Sequence, residues 1–329
     1  MRLPALLALL TGLVLPWTAP AQPFTFAAFG DMPYCNPRDP AGCHDELARV
    51  EALVETINAA RPAFTIFLGD TKGGGESCSD AIILDRTEAW FSRIAGALIY
   101  TPGDNEWTDC WQTRAGSFDP LERLQALRER FFALPRSLGR APLPLTRQAD
   151  ADPAHRLYTE NARWERNGVL FATIHVPGSD NNRPMVQSGE VPPGSPREYP
   201  ARNQANLAWI ADAFALAERA GHRAVVFALQ ADLYYRDRCG RGTVEGHRDT
   251  RQALAEGAQR FGRPVLLLHG DSHFYLLDKP VPDLPNLTRL MVPGAQDIRA
   301  VLVTADPAAP EPFRFALIGQ ADRPARAGC

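Results

Sequence analysis

The sequence is poor in several features that assign a protein to a functional class. It has no run of basic residues, its net charge is −3, and Lys72 and Lys279 are the only lysines among 35 basic residues. This composition does not indicate a nucleic-acid partner, because binding to a phosphate backbone requires clustered positive charge. The chain also lacks a Cys-x-x-Cys pair, which excludes the usual thiolate zinc motifs.

Long apolar runs are absent except near the N-terminus. Arg2 is followed by an apolar run over residues 3–15, and Ala-Pro-Ala at residues 19–21 has the form of a cleavage site. We therefore predict a signal peptide over residues 1–21 and a mature chain that is periplasmic or secreted, with no membrane span after cleavage. An uncleaved membrane anchor is the alternative, but the run is shorter than the roughly 20 residues that cross a bilayer.

The cysteines are even in number, which suits an exported chain. In an oxidising compartment, six cysteines without metal-site spacing are expected to form disulfides. We favour Cys35–Cys43 as a local pair. Cys78–Cys110 would join two loops that follow candidate site strands, and Cys239–Cys329 is the pair that remains.

Short apolar segments alternate with amphipathic segments along the mature chain. We predict strands at 24–29, 64–68, 98–101, 169–176, 223–229 and 265–268, with antiparallel strands in 287–318. We predict helices at 44–60, 81–95, 120–134, 203–220 and 250–261, and a surface excursion at 135–153. Repeated strand-then-helix order predicts an α/β fold with parallel early strands, and the absence of a linker predicts one domain over residues 22–329.

Polar side chains follow the predicted strands at the point where each strand ends. Residues 98–107 read as a buried strand that stops at Pro-Gly and then presents Asp104, Asn105 and Glu106. The same arrangement recurs after other strands, at Asp31, Asp70, Asp271 and His273, with Gln230 and His175 beside them. Because ligands bind beyond the carboxyl ends of the strands in such sheets, we expect these side chains to share one crevice.

Four carboxylates in one crevice cannot all ionise without positive charge among them. Three solutions are open: divalent cations, basic side chains, or protonated carboxyl groups. Oxygen ligands with one imidazole suit Mn²⁺, Mg²⁺ or Ca²⁺ better than a metal that prefers thiolates. Two such ions about 3.5–4 Å apart would activate a water and support a displacement at phosphorus. Lys72, close to Asp70, is the basic side chain that could replace one cation.

The order of these motifs resembles that of the calcineurin-like metallophosphoesterases, which include the purple acid phosphatases. That family carries Asp-x-His, Gly-Asp, Gly-Asn-His-Glu or Gly-Asn-His-Asp, a lone His, and Gly-His-x-His. The corresponding stretches here are Asp-Met-Pro at 31–33, Gly-Asp at 69–70, Gly-Asp-Asn-Glu at 103–106, Gln230 or Asp232, and Gly-Asp-Ser-His at 270–273. The resemblance covers nearly the whole mature chain and implies two mixed β-sheets packed as a sandwich with flanking helices.

The resemblance also implies roles for individual residues, with Asp70 bridging two metal ions. One ion would be held by Asp31, Asp70 and His273, and the other by Asp70, Asp104, Asp271 and Gln230. Asn105 falls where the family has a histidine that assists catalysis, and His175 or His269 is the candidate replacement. The chain departs from the family at four histidines, and this oxygen-rich set favours Mn, Mg or Ca over Zn or Fe.

The resemblance implies an exported, metal-dependent hydrolase that attacks a small phosphorylated substrate with a metal-bound hydroxide. The alternative comes from another class: a degenerate relative that binds an anion or a partner without hydrolysis. The missing histidines favour the alternative. The retained carboxylates favour the enzyme, because an acidic cluster without a countercharge is costly to fold.

Overall fold

The computed structural model describes residues 22–184, 191–235 and 244–320. The predicted signal peptide, residues 1–21, lies outside these ranges, as do Cys239 and Cys329. Within them the strands form one six-stranded and one seven-stranded sheet with helices on the outside. This architecture confirms the predicted α/β class with two mixed sheets and flanking helices.

The strands are short, and most of them overlap the predicted apolar segments. The exceptions are Leu138–Gly139 and Thr146–Arg147, which correct the predicted surface excursion at 135–153, and Ala162–Arg166 and Leu276–Asp278, where no strand was predicted. In chain order they are β1 (Phe24–Phe29), β2 (Thr65–Phe67), β3 (Ala97–Tyr100), β4 (Leu138–Gly139), β5 (Thr146–Arg147), β6 (Ala162–Arg166), β7 (Val169–Thr173), β8 (Ala224–Ala228), β9 (Val265–His269), β10 (Leu276–Asp278), β11 (Leu287–Met291), β12 (Ala300–Ala305) and β13 (Phe313–Ile318). The first sheet has the order β13-β12-β1-β2-β3-β4, and the second has the order β10-β11-β9-β8-β7-β6-β5.

The helices connect the strands and cover the outer faces of the sheets. They are α1 (Pro40–Ala60), α2 (Thr87–Phe91), α3 (Pro120–Phe131), α4 (Gln148–Ala151), α5 (Gly178–Asn181), α6 (Ser195–Ala220) and α7 (Arg248–Phe261). Helix α1 begins before the predicted residue 44, because the Asp39 side chain accepts a hydrogen bond from the Gly42 N–H and a proline opens the helix. Helix α6 likewise begins before residue 203 and includes Pro200.

The strand directions match the prediction in the early part of the chain and correct it later. Strands β1, β2 and β3 are parallel, and β12 and β13 close that sheet in antiparallel fashion. The prediction that all strands after residue 287 are antiparallel is wrong for β11, which runs parallel to β9. Strand β10 lies between β9 and β11 in the chain and runs antiparallel to β11. The chain therefore reverses direction twice, and β11 runs in the same direction as β9. A periodicity pattern shows buried faces but not strand direction.

Apolar side chains form three layers that order the sheets and helices. One cluster lies between the two sheets, a second between the first sheet and α1 to α3, and a third between the second sheet and α6 and α7. In β1, Phe26 and Ala28 join the inter-sheet cluster, while Ala27 and Phe29 join the cluster beneath α1. Burial on both faces explains why the central strands read as continuous apolar runs.

Two of the predicted disulfides are present. Cys35 pairs with Cys43 and Cys78 pairs with Cys110, which confirms both assignments. The Cys78–Cys110 bond joins the loop after β2 to the loop after β3. In the ranges that the structure describes, no helix has the length and apolar character needed to cross a membrane.

Candidate metal centre

The candidate residues lie in loops that follow strands of both sheets. Asp31, Asp70 and Asp104 follow β1, β2 and β3 of the first sheet, whereas Gln230 and Asp271 follow β8 and β9 of the second. Hydrogen bonds cross between the two groups: the Asp271 N–H donates to Asp31, and Gln230 donates to Asp104. The two sheets therefore present these strand ends to one shared site, as expected for parallel strands.

Four of the site residues have left-handed backbone conformations. The φ angles are 55° at Asp31, 60° at Asp70, 74° at Asp271 and 65° at His273. Left-handed φ costs a non-glycine residue about 1–2 kcal/mol, although Asp and Asn tolerate it better than most. Strained backbone concentrated at one edge of a fold is typical of a functional site.

Two glycines allow the loops to approach each other closely. A Cβ atom added at Gly103 would lie 2.1 Å from Oδ1 of Asp70, and one added at Gly270 would lie 2.1 Å from Oδ2 of Asp31. Any side chain at these positions would displace a site carboxylate. In these two Gly-Asp motifs, the glycine therefore allows the backbone to pack directly against a site carboxylate.

Asp31, Asp70 and His273 form a candidate ligand group for a metal ion. One ligand atom from each lies within 4.8 Å of the other two, and no other such group of three occurs in the ranges that the structure describes. The His273 side chain keeps 33% of its surface exposed, so the group can be reached from solvent. Two carboxylates and one imidazole fit a divalent cation that prefers oxygen ligands.

Asp70 is held by three hydrogen bonds from two residues. Asn105 donates from its backbone N–H to Oδ1 at 3.1 Å and from Nδ2 to Oδ2 at 2.6 Å. The Tyr34 hydroxyl donates to the same Oδ2 at 2.5 Å and lies 3.2 Å from Nε2 of His273. The sequence analysis missed Tyr34, whose place in the loop that carries Asp31 was the available signal. Asn105, predicted to be catalytic, lies where it orients Asp70.

Asp104, Asp271 and Gln230 form a second group beside the first. The Gln230 Nε2 atom lies 3.3 Å from Oδ1 of Asp104 and 3.3 Å from Oδ1 of Asp271. Ser179 donates from Oγ to Asp104 at 2.7 Å, and the Asp232 N–H donates to Asp271 at 2.9 Å. The structure thus brings all six predicted metal ligands to one edge but places only three of them in a ligand group.

Burial and mutual repulsion raise the pKa values of the site carboxylates. Desolvation, then the charge of Asp271, raises the pKa of Asp31 well above its usual value, and desolvation with the charge of Asp104 does the same for Asp70. The pKa of Asp271 is raised to about 8 by burial and by Asp104. A cation among these groups would stabilise their ionised forms and lower the pKa values again.

Lys72 is a fully buried cation close to this cluster. Its Nζ donates to the Gly73 carbonyl at 3.2 Å, and it forms no direct ion pair with any carboxylate in the part of the chain that the structure describes. Burial lowers the pKa of Lys72, whereas the charges of Asp70 and Glu106 oppose that shift. Lys72 therefore interacts with the site carboxylates at a longer distance than a metal ion bound to them would.

Glu106 joins the loops after β2 and β3. It is fully buried, and its Oε1 atom accepts from the Asp70 N–H at 3.1 Å, the Gly103 N–H at 2.8 Å and the Tyr100 hydroxyl at 2.7 Å. The sequence analysis included Glu106 in the Gly-Asp-Asn-Glu motif at 103–106 but did not predict that it binds the backbone of two loops. Its position fixes the backbone of both loops rather than presenting a ligand.

His175 lies in a buried ionic network rather than among the site carboxylates. Its ring is fully buried, and Nδ1 lies 2.8 Å from Oε1 of Glu160, which also pairs with Arg128 at 2.6 Å. His269, the other candidate proton donor, is also buried, with Nδ1 3.0 Å from the Gly270 carbonyl. The catalytic role of His175 stays a prediction, and this placement disfavours it.

A run of left-handed residues carries Ser179 to the site. Ser179, Asp180, Asn181 and Asn182 all have positive φ, between 45° and 59°. Buried Arg202 binds this turn through the side chain of Asn181 at 2.6 Å and its carbonyl at 2.9 Å. The sequence analysis identified neither this turn nor the arginine that holds it.

No protein-family model matches the chain, and no curated protein matches it. The fold and the site together define an α/β sandwich of two mixed sheets with a carboxylate-rich candidate metal centre. Function is therefore argued from the geometry of that centre.

Proposed function

We propose that the mature chain is an exported phosphoester hydrolase that depends on a divalent cation, with Mn²⁺, Mg²⁺ or Ca²⁺ favoured. The observation that carries the proposal is the convergence of Asp31, Asp70 and His273, whose ligand atoms lie within 4.8 Å of one another. Such a donor set suits these ions. The motif order shared with calcineurin-like metallophosphoesterases supports the phosphoester class, and the two disulfides support an oxidising compartment.

The chain's own residues hold the ligands in place. A bound divalent ion supplies Lewis acidity toward a phosphoryl oxygen and toward water. Asn105 and Tyr34 orient the Asp70 carboxylate, and the Asp271 N–H lies 3.0 and 3.1 Å from the two oxygens of Asp31. Ligands held in this way are oriented before any ion binds, which is the condition for a precise metal site.

Among the described residues, the three proton donors suggested by the motif resemblance, Asn105, His175 and His269, are not suited to protonate a leaving group. The amide of Asn105 does not titrate near neutral pH, and the rings of His175 and His269 are fully buried. Hydrolysis should then depend steeply on how well the leaving group departs without prior protonation. Aryl phosphates are the substrates of choice for a first assay.

The test measures hydrolysis of p-nitrophenyl phosphate and bis(p-nitrophenyl) phosphate by chelator-treated mature protein before and after Mn²⁺, Mg²⁺ or Ca²⁺ is added. We expect turnover only with metal, and we expect Asp70→Asn to lower it by at least about 100-fold because a ligand is lost. Asn suits the left-handed backbone at residue 70, where φ is 60°. The control is Asp85→Asn, an exposed carboxylate paired with Arg130, which should leave turnover unchanged. Absence of turnover with all three ions contradicts the proposal.

The second candidate is a catalytically degenerate, metallophosphoesterase-like protein that binds an anion or a partner without hydrolysis. The observation that favours it is the presence of two carboxamides, Asn105 and Gln230, which contact site carboxylates but cannot transfer protons. In that case Mn²⁺ raises the melting temperature through binding to the native state, yet no phosphoester is turned over. A thermal shift combined with the assay above separates the two candidates.

A further inference from the structure

The orientation of the Gln230 carboxamide is fixed by a backbone contact. Gln230 is fully buried just beyond β8, and its Oε1 atom lies 2.5 Å from the Gly178 nitrogen. Because a backbone N–H can only donate, the atom that faces it must be the amide oxygen. This contact removes the usual ambiguity between the oxygen and nitrogen of a glutamine side chain.

The amide nitrogen consequently faces two carboxylates. Nε2 lies 3.3 Å from Oδ1 of Asp104 and 3.3 Å from Oδ1 of Asp271, and an –NH₂ group has two hydrogens to donate. These hydrogens bring partial positive charge between two like-charged groups. The oxygen of Gln230, the atom able to ligate a hard cation, is directed toward Gly178 instead.

The other oxygen atom of each carboxylate also has a hydrogen-bond donor. Oδ2 of Asp104 accepts from Ser179 at 2.7 Å, and Oδ2 of Asp271 accepts from the Asp232 N–H at 2.9 Å. A Cβ atom at Gly178 would lie 2.6 Å from Oδ1 of Asp271 and 2.8 Å from Oδ2 of Asp104. The backbone therefore packs directly against both carboxylates.

We propose that the centre binds a single divalent ion and that the Gln230 amide holds the Asp104–Asp271 pair in place of a second ion. This inference rests on the metal dependence proposed above and departs from the pair of ions that the motif order implies. Asp31, Asp70 and His273 supply three ligand atoms within 4.8 Å of one another. The neighbouring position offers two carboxylates and a hydrogen-bond donor, and a donor repels a cation.

The test is the metal content of the mature wild-type protein. After equilibration with Mn²⁺ and removal of free ion, we expect elemental analysis to give one Mn²⁺ per chain and the electron paramagnetic resonance spectrum to be that of an isolated ion. Two ions per chain with a spin-coupled spectrum would overturn the inference and would leave the hydrolase proposal intact. Absence of bound Mn²⁺ would overturn both the inference and the metal dependence.

A variant tests the role of the amide hydrogens directly. Gln230→Glu keeps the shape of the side chain and its acceptor for the Gly178 N–H but replaces the –NH₂ with an oxygen ligand. We expect the Mn²⁺ content to rise from one to two per chain, while Gln204→Glu on the exposed face of α6 stays at one. A folded Gln230→Glu protein that still binds one ion contradicts the role assigned to Gln230. If this variant does not fold, the wild-type measurement decides alone.

Discussion

Glu160 is the acceptor at the centre of a buried ionic network beneath the candidate metal centre. Arg128 donates to it from Nε at 2.9 Å and from Nη2 at 2.6 Å, and Nδ1 of His175 lies 2.8 Å away. Burial removes the hydration of all three side chains, so the charge-assisted hydrogen bonds must offset that cost. The network packs beneath the turn at Ser179, because Arg202 binds both the His175 carbonyl and Asn181.

Replacing Glu160 tests the importance of this pairing for stability. We expect Glu160→Gln to lower the free energy of unfolding at pH 7 by about 3 kcal/mol or more, because Arg128 is left buried without a countercharge. The control is Glu88→Gln, which removes an exposed ion pair with Arg130 at 2.7 Å. This substitution should change the free energy of unfolding by less than about 1 kcal/mol. Urea unfolding measures both, and equal losses would contradict the assignment.

The same carboxylate should contribute to the acid sensitivity of the protein. Burial alone would raise the pKa of Glu160, but the charge of Arg128 and the His175 hydrogen bond outweigh it and hold the pKa well below its usual value. The stabilisation is therefore complete above the unfolded-state pKa of about 4.3 and is lost as the pH falls toward the folded-state pKa. Wild-type stability should fall more steeply than that of Glu160→Gln below about pH 4.5, and parallel urea midpoints would contradict this.

At the residue scale the sequence predicted most of the residues that converge at the candidate site but not their contacts. Asp31, Asp70 and His273 could be predicted because each follows a strand end in a recurring motif. The position of Tyr34 in the loop that carries Asp31 was a signal that it lies near the site, but its hydrogen bonds to Asp70 and His273 could not be predicted, since they form only between the folded loops. Likewise, spacing gives no information on which way the His175 ring points or that Glu160 lies opposite it.

The loops after β2 and β3 are the elements that set the position of Asp70. Glu106 binds the backbone of both loops, and Gly103 lies against Asp70 with no room for a side chain. The Cys78–Cys110 disulfide lies beside them, with its sulfur atoms 3.5 and 3.7 Å from the Asn105 carbonyl. Asp70 is thus held by contacts on both sides of its loop.

A single methyl group at residue 103 should disturb the site although no ligand residue is replaced. In Gly103→Ala the new Cβ would lie 2.1 Å from Oδ1 of Asp70, so the carboxylate must move. We expect the rise in melting temperature on adding Mn²⁺ to be lost or strongly reduced. In the same region Gly75→Ala meets no atom within 4 Å and should keep the wild-type shift. A full shift in Gly103→Ala would contradict the importance of this close approach.

The two disulfides should differ in their contributions to stability. The Cys78–Cys110 bond has a sequence separation of 32 and the Cys35–Cys43 bond a separation of 8. Loop-closure entropy then gives about 3.7 kcal/mol for the longer loop and about 2.5 kcal/mol for the shorter one. We expect the Cys78→Ala/Cys110→Ala protein to be less stable in urea than the Cys35→Ala/Cys43→Ala protein. The reverse order would contradict this expectation.

At the element scale the apolar segments located the central strands and the helices. The ends of the elements were less accurate, because capping contacts such as the Asp39 bond to Gly42 decide where a helix begins. The direction of β11 was mispredicted, since the short strand β10 that reverses the chain carried no clear pattern. The packing of two sheets was expected from the motif resemblance rather than from periodicity.

The site exists only in the assembled molecule. Residues after β1, β2 and β3 supply one half, and residues after β8 and β9 supply the other, so the two sheets must pack together before the ligands meet. Phe26, Phe64 and Phe171 lie in the apolar cluster between the sheets. The inter-sheet core and the candidate centre therefore depend on the same packing.

Anomalous diffraction at the manganese edge from crystals of the mature protein grown with Mn²⁺ locates the bound ion directly. We expect one strong peak, bonded to a carboxylate oxygen from each of Asp31 and Asp70 and to a ring nitrogen of His273. An anomalous peak next to other residues, or no peak near Asp31, Asp70 and His273, would contradict the metal-dependent function proposed for this chain.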